Sequence, residues 1–294
     1  MLRLTSTLLA GLIFSTFGHA GQVRVAALSW TATEMLLSLG ITPVAVASQN
    51  GYRIWQSNTP PLPEGVAEIG YRDRPSLEAL ASARPAAIVG YPWRHGPARQ
   101  WLERIAPLVL LPQYSRDEPD MDYLDQMRRN FIRLGVLTGR EALARQQLQA
   151  MNDVLARCAR VIRKHGLQGS PVLFGKPVGM GLGIRIYGTD SMPSGVLMRL
   201  GLQVPPIRTL PGRDFSHYSG SRLLQLPAAK LLLSAKDTVL RTSTTADPIW
   251  RLLEARKERR VYWLPALWSY GGPVSVVRMA ELTTYALTGT ATCE

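Results

Sequence analysis

The sequence predicts an α/β protein made of two α/β lobes joined by one long α-helix, and three observations carry that reading. Residues 140–165 place Ala144, Leu148, Met151, Leu155, Cys158 and Ile162 at steps alternating four and three. On a helix these form one small or apolar stripe, with Arg145, Gln149, Asn152 and Arg163 off it. Strand-like and helix-like segments alternate on both sides of that run, which indicates parallel pairing in layered sheets. The flanks, residues 21–138 and 167–294, are of comparable length, so the helix of residues 139–166 reads as a spine between them.

The spine has sound ends. No Pro or Gly interrupts it, Glu141 suits the first turn, and Arg163, Lys164 and His165 suit the last. Gly166 then closes it in a left-handed conformation. A helix of that length makes a rod of roughly 38 Å, about the span of a domain.

In the first flank, Gln22 to Leu28 alternates enough for a strand, and Thr31 or Thr33 is placed to cap the helix that follows and ends at Gly40. Thr42 to Ala47 reads as the second strand. Ser48 to Gly65 reads as a long irregular passage holding Tyr52, Arg53, Trp55 and Pro60-Pro-Leu-Pro63, and a loop of that length binds or covers something. Val66 to Gly70 is short and strand-like, Ser76 begins a helix, Ala86 to Gly90 is an apolar strand, and Trp101 to Ile105 belongs to a further helix. Leu108 to Leu111 and the amphipathic Asp122 to Leu137 complete the lobe. Beyond the spine, Val172 to Phe174 and Met180 to Tyr187 read as partner strands, followed by a helix over Ser191 to Leu200. A buried strand over Ala228 to Ser234, a helix over Asp247 to Ala255 with Pro248 in its first turn, a strand over Val261 to Leu264 and a closing helix over Ser275 to Leu287 finish the chain.

With 46% hydrophobic and 19% charged residues, the composition excludes a disordered chain. Residues 1–20 differ in kind: Arg3, a short apolar run over Leu8 to Phe14 and the small-residue exit Gly18-His-Ala20 read as a secretory signal peptide. The run is too short to span a bilayer, and no Cys follows it to carry a lipid. The net charge of +13 raises nucleic acid and anionic surfaces as partners. Its cations are dispersed, however, with local groups at Arg157/Arg160/Arg163/Lys164 and Arg251/Arg256/Lys257/Arg259/Arg260 that read as solvated helix faces. Cys158 and Cys293 are the only cysteines. Export permits a disulfide between them, while the position of Cys158 on the apolar stripe favours a buried free thiol.

Catalytic signatures are lacking. Gly179-Met-Gly-Leu-Gly183 has neither the spacing nor the Lys of a phosphate loop and reads as a Gly-rich hairpin. There is no Gly-x-Ser-x-Gly elbow, and Asp214 with His217 identifies no activated nucleophile. What stands out is loop aromatics beside Arg: Tyr52-Arg-Ile-Trp55, Tyr71-Arg72, Tyr91-Pro-Trp93-Arg-His95 and Leu267-Trp268-Ser-Tyr270. Several follow strand ends, where open α/β sheets place ligands. Flat aromatic area beside the planar donor fork of Arg suits a ligand with apolar stems and an oxygen-rich centre.

Tyr52-Arg-Ile-Trp55, Pro60-Pro-Leu-Pro63, Ile69-Gly-Tyr-Arg72, Pro75-Ser-Leu-Glu78 and Ile105-Ala-Pro107 together resemble the N-terminal lobe of the periplasmic ferric hydroxamate siderophore-binding proteins. Pro248-Ile-Trp250 and Val261 to Gly271 resemble the same family's C-terminal signature. The resemblance implies a shallow ligand cleft between the lobes, no catalysed reaction, no cofactor, a ferric siderophore as ligand and an inner-membrane ABC permease as partner. A periplasmic, monomeric protein that neither enters the membrane nor binds nucleic acid is expected, with the spine limiting lobe motion to a modest hinge.

By the same resemblance Arg72 hydrogen-bonds the hydroxamate oxygens around iron, Trp55 and Trp268 wall the pocket, and Tyr270 lies beside them. Tyr52, Tyr91, Trp93 and Tyr218 complete the candidate ligand-binding set. The sequence departs from the family at two aromatic positions, which fall nearest His95 (with Tyr91 as substitute) and Ser216/His217. These two histidines are therefore expected to hydrogen-bond ligand oxygens, or alternatively to take a position on iron; no resident metal is expected. The acidic residues that the family presents to its permease fall near Gln100 and Leu224, with Glu103 close to the first. Ferric citrate, a ferric catecholate or haem are the alternative ligands, and a secreted hydrolase the alternative class.

Overall fold

The computed structural model describes residues 23–113, 122–179, 183–246, 248–254 and 261–293. The expected leader, the tip of the Gly179–Gly183 turn and the basic residues Arg256, Lys257, Arg259 and Arg260 lie outside the described residues. In the first lobe, β1 (Val25–Ala27) leads into α1 (Trp30–Ser38) and β2 (Ala45–Val46) into α2 (Gln49–Trp55). β3 (Ala67–Glu68) leads into a small ribbon of β4 (Gly70–Tyr71) and β5 (Arg74–Pro75). Then come α3 (Leu77–Ser82), β6 (Ala87–Gly90), α4 (Pro92–His95), α5 (Arg99–Leu102), β7 (Leu108–Leu110) and α6 (Tyr123–Leu137). The long helix α7 (Glu141–Lys164) follows. The second lobe holds β8 (Val172–Pro177), β9 (Ile184–Tyr187), α8 (Met192–Arg199), β10 (Phe215–Tyr218) and β11 (Lys230–Ser234). It ends with α9 (Thr238–Thr245), α10 (Pro248–Glu254), β12 (Val261–Leu264) and α11 (Pro273–Thr288).

The first sheet has the order β3-β2-β1-β6-β7 and every pairing is parallel. Its centre, Val25 to Ala27 with Ile88 and Val89, is fully buried, as a sheet covered on both faces requires. The second sheet has the order β10-β9-β8-β11-β12 and is mixed. β11 pairs parallel with β8 and β12, whereas β8, β9 and β10 form an antiparallel meander. The β8–β9 pair is the hairpin expected around the Gly-rich turn, its connection being too short for a parallel crossover.

All six stripe residues of α7 are buried, as is Val161, and the helix packs against α6, α8 and α11. Gln147 Nε2 also donates to Ser38 O at the end of α1, 2.7 Å away, so α7 touches elements of both lobes. Arg160, Arg163 and Lys164 are exposed on the opposite face. The stripe carries Cys158 to the chain end that follows α11, where it forms a disulfide with Cys293. That corrects the free-thiol expectation: a position on a buried stripe reports burial, and the partner 135 residues away only arrives through the fold.

Three local readings also change. Ser29, not Thr31 or Thr33, caps α1, its Oγ accepting from Ala32 N at 3.2 Å. The passage after Ser48 contains a helix, α2, whose first amides Ser48 N and Gln49 N donate to the two carboxylate oxygens of Glu68 at 3.0 and 2.8 Å. A cap supplied from twenty residues downstream leaves no local signal. Phe215–Tyr218, which the sequence reading assigns to no element, forms a strand, β10, that carries His217.

Candidate ligand-binding cleft

Open α/β sheets place ligands beyond the carboxyl ends of their strands, where the winding direction reverses. In the first sheet that point lies between β1 and β6. Trp30 follows β1 and Tyr91 follows β6, and both line a cleft of about 440 Å3 between the lobes. In the second sheet the end of β8 contributes Lys176 and Pro177, and the loop after β12 contributes Trp268 and Tyr270. The Gln49–Trp55 helix delivers Trp55.

The centre of the cleft is a stack around Arg72, which turns between β4 and β5. Its guanidinium lies 3.5 Å over the Trp30 ring and 5.1 Å from the Trp268 ring centroid. The two tryptophans meet edge to face at 4.6 Å, Trp30 Nε1 donating to Ser48 O at 2.8 Å and Trp268 Nε1 to Thr31 Oγ1 at 3.1 Å. From Trp268 the aromatic surface continues through Tyr270 and Tyr187 to Phe215, with successive centroids 5.6, 6.2 and 6.1 Å apart. No carboxylate pairs with Arg72 among the described residues. Burial, and then the nearby Arg94, pull its pKa down to about 10, which leaves it charged at neutral pH.

Of the ten residues expected to touch a ligand, Trp55, Arg72, Tyr91, Trp93, Trp268 and Tyr270 line the cleft. The other four are placed elsewhere. Tyr52, on α2, is fully buried, its hydroxyl donating to Pro60 O at 2.7 Å. Tyr218 is buried on β10. His217 is exposed, stacked 5.4 Å from Phe215, and its Nε2 accepts from Arg185 Nε at 3.3 Å.

His95 sits behind the cleft wall. Its Nδ1 accepts from Tyr91 N at 2.8 Å, so Nε2 carries the hydrogen and donates to Arg72 O at 3.0 Å. The ring fits because residue 90 is Gly; a Cβ there would stand 2.6 Å from Nδ1. Burial, the largest influence, pushes the His95 pKa down to about 4. His95 thus holds the backbone that presents Arg72 and Tyr91 and does not face the cleft.

Sequence reasoning missed several lining residues. Trp30 had a usable signal, since it directly follows a strand end and a capping Ser. Lys176 and Arg185 had a weaker one: charges inside the buried strand run of β8 and across from it on β9. Lys176 donates to Leu267 O and lies 4.5 Å from the Trp55 centroid, with burial pulling its pKa well down. Tyr270 donates to Asp214 at 2.9 Å; that carboxyl is buried beneath the aromatic surface and its pKa is pushed up to about 6. Glu103, the candidate for permease docking, pairs with Arg99 at 2.5 Å.

Comparison with known proteins agrees with this architecture. The chain is 26% identical to the iron(3+)-hydroxamate-binding protein FhuD of Escherichia coli, over 93% of this chain and 90% of that protein. It is also 26% identical to the Fe(3+) dicitrate-binding periplasmic protein FecB of the same organism, over 81% of this chain and 75% of that one. Among solved structures, the Fe3+–Desferal-bound siderophore-binding protein FhuD of Vibrio cholerae superposes with a TM-score of 0.80 at 27% identity, covering 91% of this chain and 98% of that one. The periplasmic binding protein family model matches residues 25–267, and with the two-lobed fold and its interlobe cleft this establishes that the chain belongs to the periplasmic binding protein family.

Proposed function

We propose that this chain is a periplasmic solute-binding protein that captures a ferric siderophore of the hydroxamate type and delivers it to an inner-membrane ABC permease. In this reading it works as a monomer built of residues 21–138, the spine 139–166 and residues 167–294. The observation that carries the proposal is the Arg72 guanidinium, laid across two tryptophans at the mouth of both sheets without a carboxylate partner among the described residues. Hydroxamate oxygens on iron keep partial negative charge, and a planar, pre-positioned donor fork satisfies them. The surrounding aromatics supply apolar area for the ligand's stems. The FhuD relatives support the hydroxamate class.

The family is one of substrate-binding proteins, which bind and hand over solutes without catalysing a reaction. The siderophore is cargo and no cofactor is involved. Among the described residues no helix is long and apolar enough to cross a membrane. A second reading, a carboxylate-rich iron chelate such as ferric citrate, is favoured by the cations that line the cleft. Haem is disfavoured because neither His95 nor His217 lines it.

Trp30, Trp55, Trp93 and Trp268 all line the cleft, so tryptophan fluorescence is the direct assay. Titration with ferrichrome, ferrioxamine B, ferric citrate, a ferric triscatecholate and haem is expected to give saturable quenching with a hydroxamate and none with haem. Quenching by none of the five sinks the siderophore reading.

A further inference from the structure

The cleft carries more positive charge than an iron-bound hydroxamate needs. Five cationic side chains line it, Arg72 and Arg94 from the first lobe and Lys176, Arg185 and Arg213 from the second, and among the described residues no Asp or Glu does. Only Arg94 has an ion-pair partner among the described residues, Asp73. Arg72 alone is enough to meet the oxygens around iron in the reading above. The three cations of the second lobe are unexplained by it.

Their placement is costly. Lys176 and Arg185 are direct cross-strand partners in the antiparallel β8–β9 ladder. Like charges in that relation, with Cβ atoms about 5 Å apart, destabilise a sheet. His217 is the next partner of Arg185 in the same row, on β10, and is held neutral by accepting the Arg185 N–H. Lys176 is buried between the Trp55 and Trp268 rings, at 4.5 and 5.6 Å from their centroids. The Arg185 guanidinium lies 4.1 Å from the Phe215 centroid and that of Arg213 5.7 Å from Trp93, so both are held at the cleft by aromatic faces. Asp214 is a carboxyl whose own pKa the nearby Arg185 lowers. It is turned under Tyr270, outside the lining, and burial drives it toward its neutral form. Among the described residues no anion faces this row, so an anionic ligand group is the partner that Arg185 and Arg213 fit, with the Lys176 amine as a further hydrogen-bond donor.

We infer that the cargo is an anionic ferric chelate, bearing at least one free carboxylate beyond the groups that hold iron, and that Lys176, Arg185 and Arg213 receive that carboxylate while Arg72 meets the iron centre. The inference rests on the siderophore reading and narrows it: a ligand ending in an ammonium group would bring a cation to the same row. Charge-assisted bonds to a carboxylate in such a site change affinity by about tenfold or more.

The test uses one iron core with three tails. Ferric desferrioxamine B carries an ammonium, its N-acetyl derivative is neutral, and its N-succinyl derivative ends in a carboxylate. Fluorescence titration of the full mature chain is expected to rank them succinyl, acetyl, ammonium, with about tenfold between the first two. In Arg185→Gln and Arg213→Gln the succinyl-to-acetyl ratio should fall towards one, and added salt should lower it in the wild type. Circular dichroism checks that the variants are folded, and the ratio is read within each variant, so a general loss of affinity does not imitate the effect. Equal binding of the three, or preference for the ammonium form, overturns the inference and leaves the siderophore reading standing. Binding of ferric citrate but none of the three overturns the hydroxamate assignment and supports the anionic one. Binding of none of the four overturns both.

Discussion

Removing the Cys158–Cys293 disulfide should destabilise the protein strongly without touching the cleft. The bridge closes a loop of 135 residues that spans the C-terminal part of the spine and the whole second lobe. In the chain-entropy description such a cross-link restricts the unfolded ensemble, and a loop of this size corresponds to about 5 kcal/mol at 25 °C. That is a large share of the roughly 5–15 kcal/mol by which folded domains are stable. Cys293→Ala is the suitable variant, because the remaining Cys158 thiol is fully buried on an apolar stripe and behaves as a small hydrophobe. Urea unfolding of the variant and of the oxidised wild type should differ by several kcal/mol, with the variant's midpoint far lower. Neither cysteine lines the cleft, and Cys293→Ala buries no charge between α7 and its neighbours, so siderophore affinity measured well below the unfolding midpoint should match the wild type. Thiol titration in denaturant without reductant should find no free thiol in the wild type. Two titratable thiols there, or coincident unfolding curves, would refute the reasoning.

Two further outcomes follow from the buried residues around the cleft and spine. His95 refuses a proton down to about 4, whereas an unfolded chain accepts one near 6.5, so the unfolded state binds more protons between those values and stability falls as the pH falls through that window. The loss reaches about 3 kcal/mol, and urea unfolding from neutral pH down to about pH 4 should show a slope that His95→Gln flattens; parallel slopes would refute the assignment. Leu155→Asp places a charge at a position only 4% exposed on the spine and should cost about 3–5 kcal/mol, lowering the melting temperature and siderophore affinity together; unchanged melting would mean that α7 does not join the lobes through that stripe.

What the sequence disclosed depended on how far away the deciding partner lay. The spine was readable because its stripe, its first-turn Glu141 and its terminal Gly166 are all local. Arg72, Trp268 and Tyr270 were readable because aromatic and Arg residues crowd the ends of recognisable strands. Trp55 lines the cleft from a helix rather than a loop, since the helix that carries it is capped by Glu68, beyond the long intervening loop. The histidines lie off the cleft lining for a different reason. Their positions beside the aromatics suggested contact with a ligand, yet His95 is folded back onto Tyr91 N and Arg72 O through a space that only Gly90 leaves open. The cationic row was hidden because Lys176 and Arg185 become neighbours only when the β8–β9 register is known. The disulfide depended on the whole second lobe being folded.

The segment after β12 explains how loops from two lobes keep one geometry. Thr31 in α1 donates to Tyr270 O and accepts from Trp268 Nε1, and Tyr123 in α6 donates to Gly271 O at 3.2 Å. Glu34, fully buried in α1, accepts from Ser275 N at 2.8 Å and Gln56 Nε2 at 2.6 Å, so it caps the start of α11 from the other lobe. The Ser275 hydroxyl lies within donating distance of Glu34 Oε2, at 2.6 Å, and of Gln56 Oε1, at 2.8 Å; burial raises the Glu34 pKa and the hydrogen bonds from Ser275 and Gln56 oppose that rise. Opening the lobes widely would break these buried bonds, each of which costs about 1–3 kcal/mol when left unmade. A wide closure of the kind seen in loosely linked binding proteins is therefore expensive here, and the Arg72–Trp30–Trp268 stack keeps its spacing. Ordering costs at binding are correspondingly small, which leaves recognition to the charges and aromatic faces that the two strand-end layers hold in place.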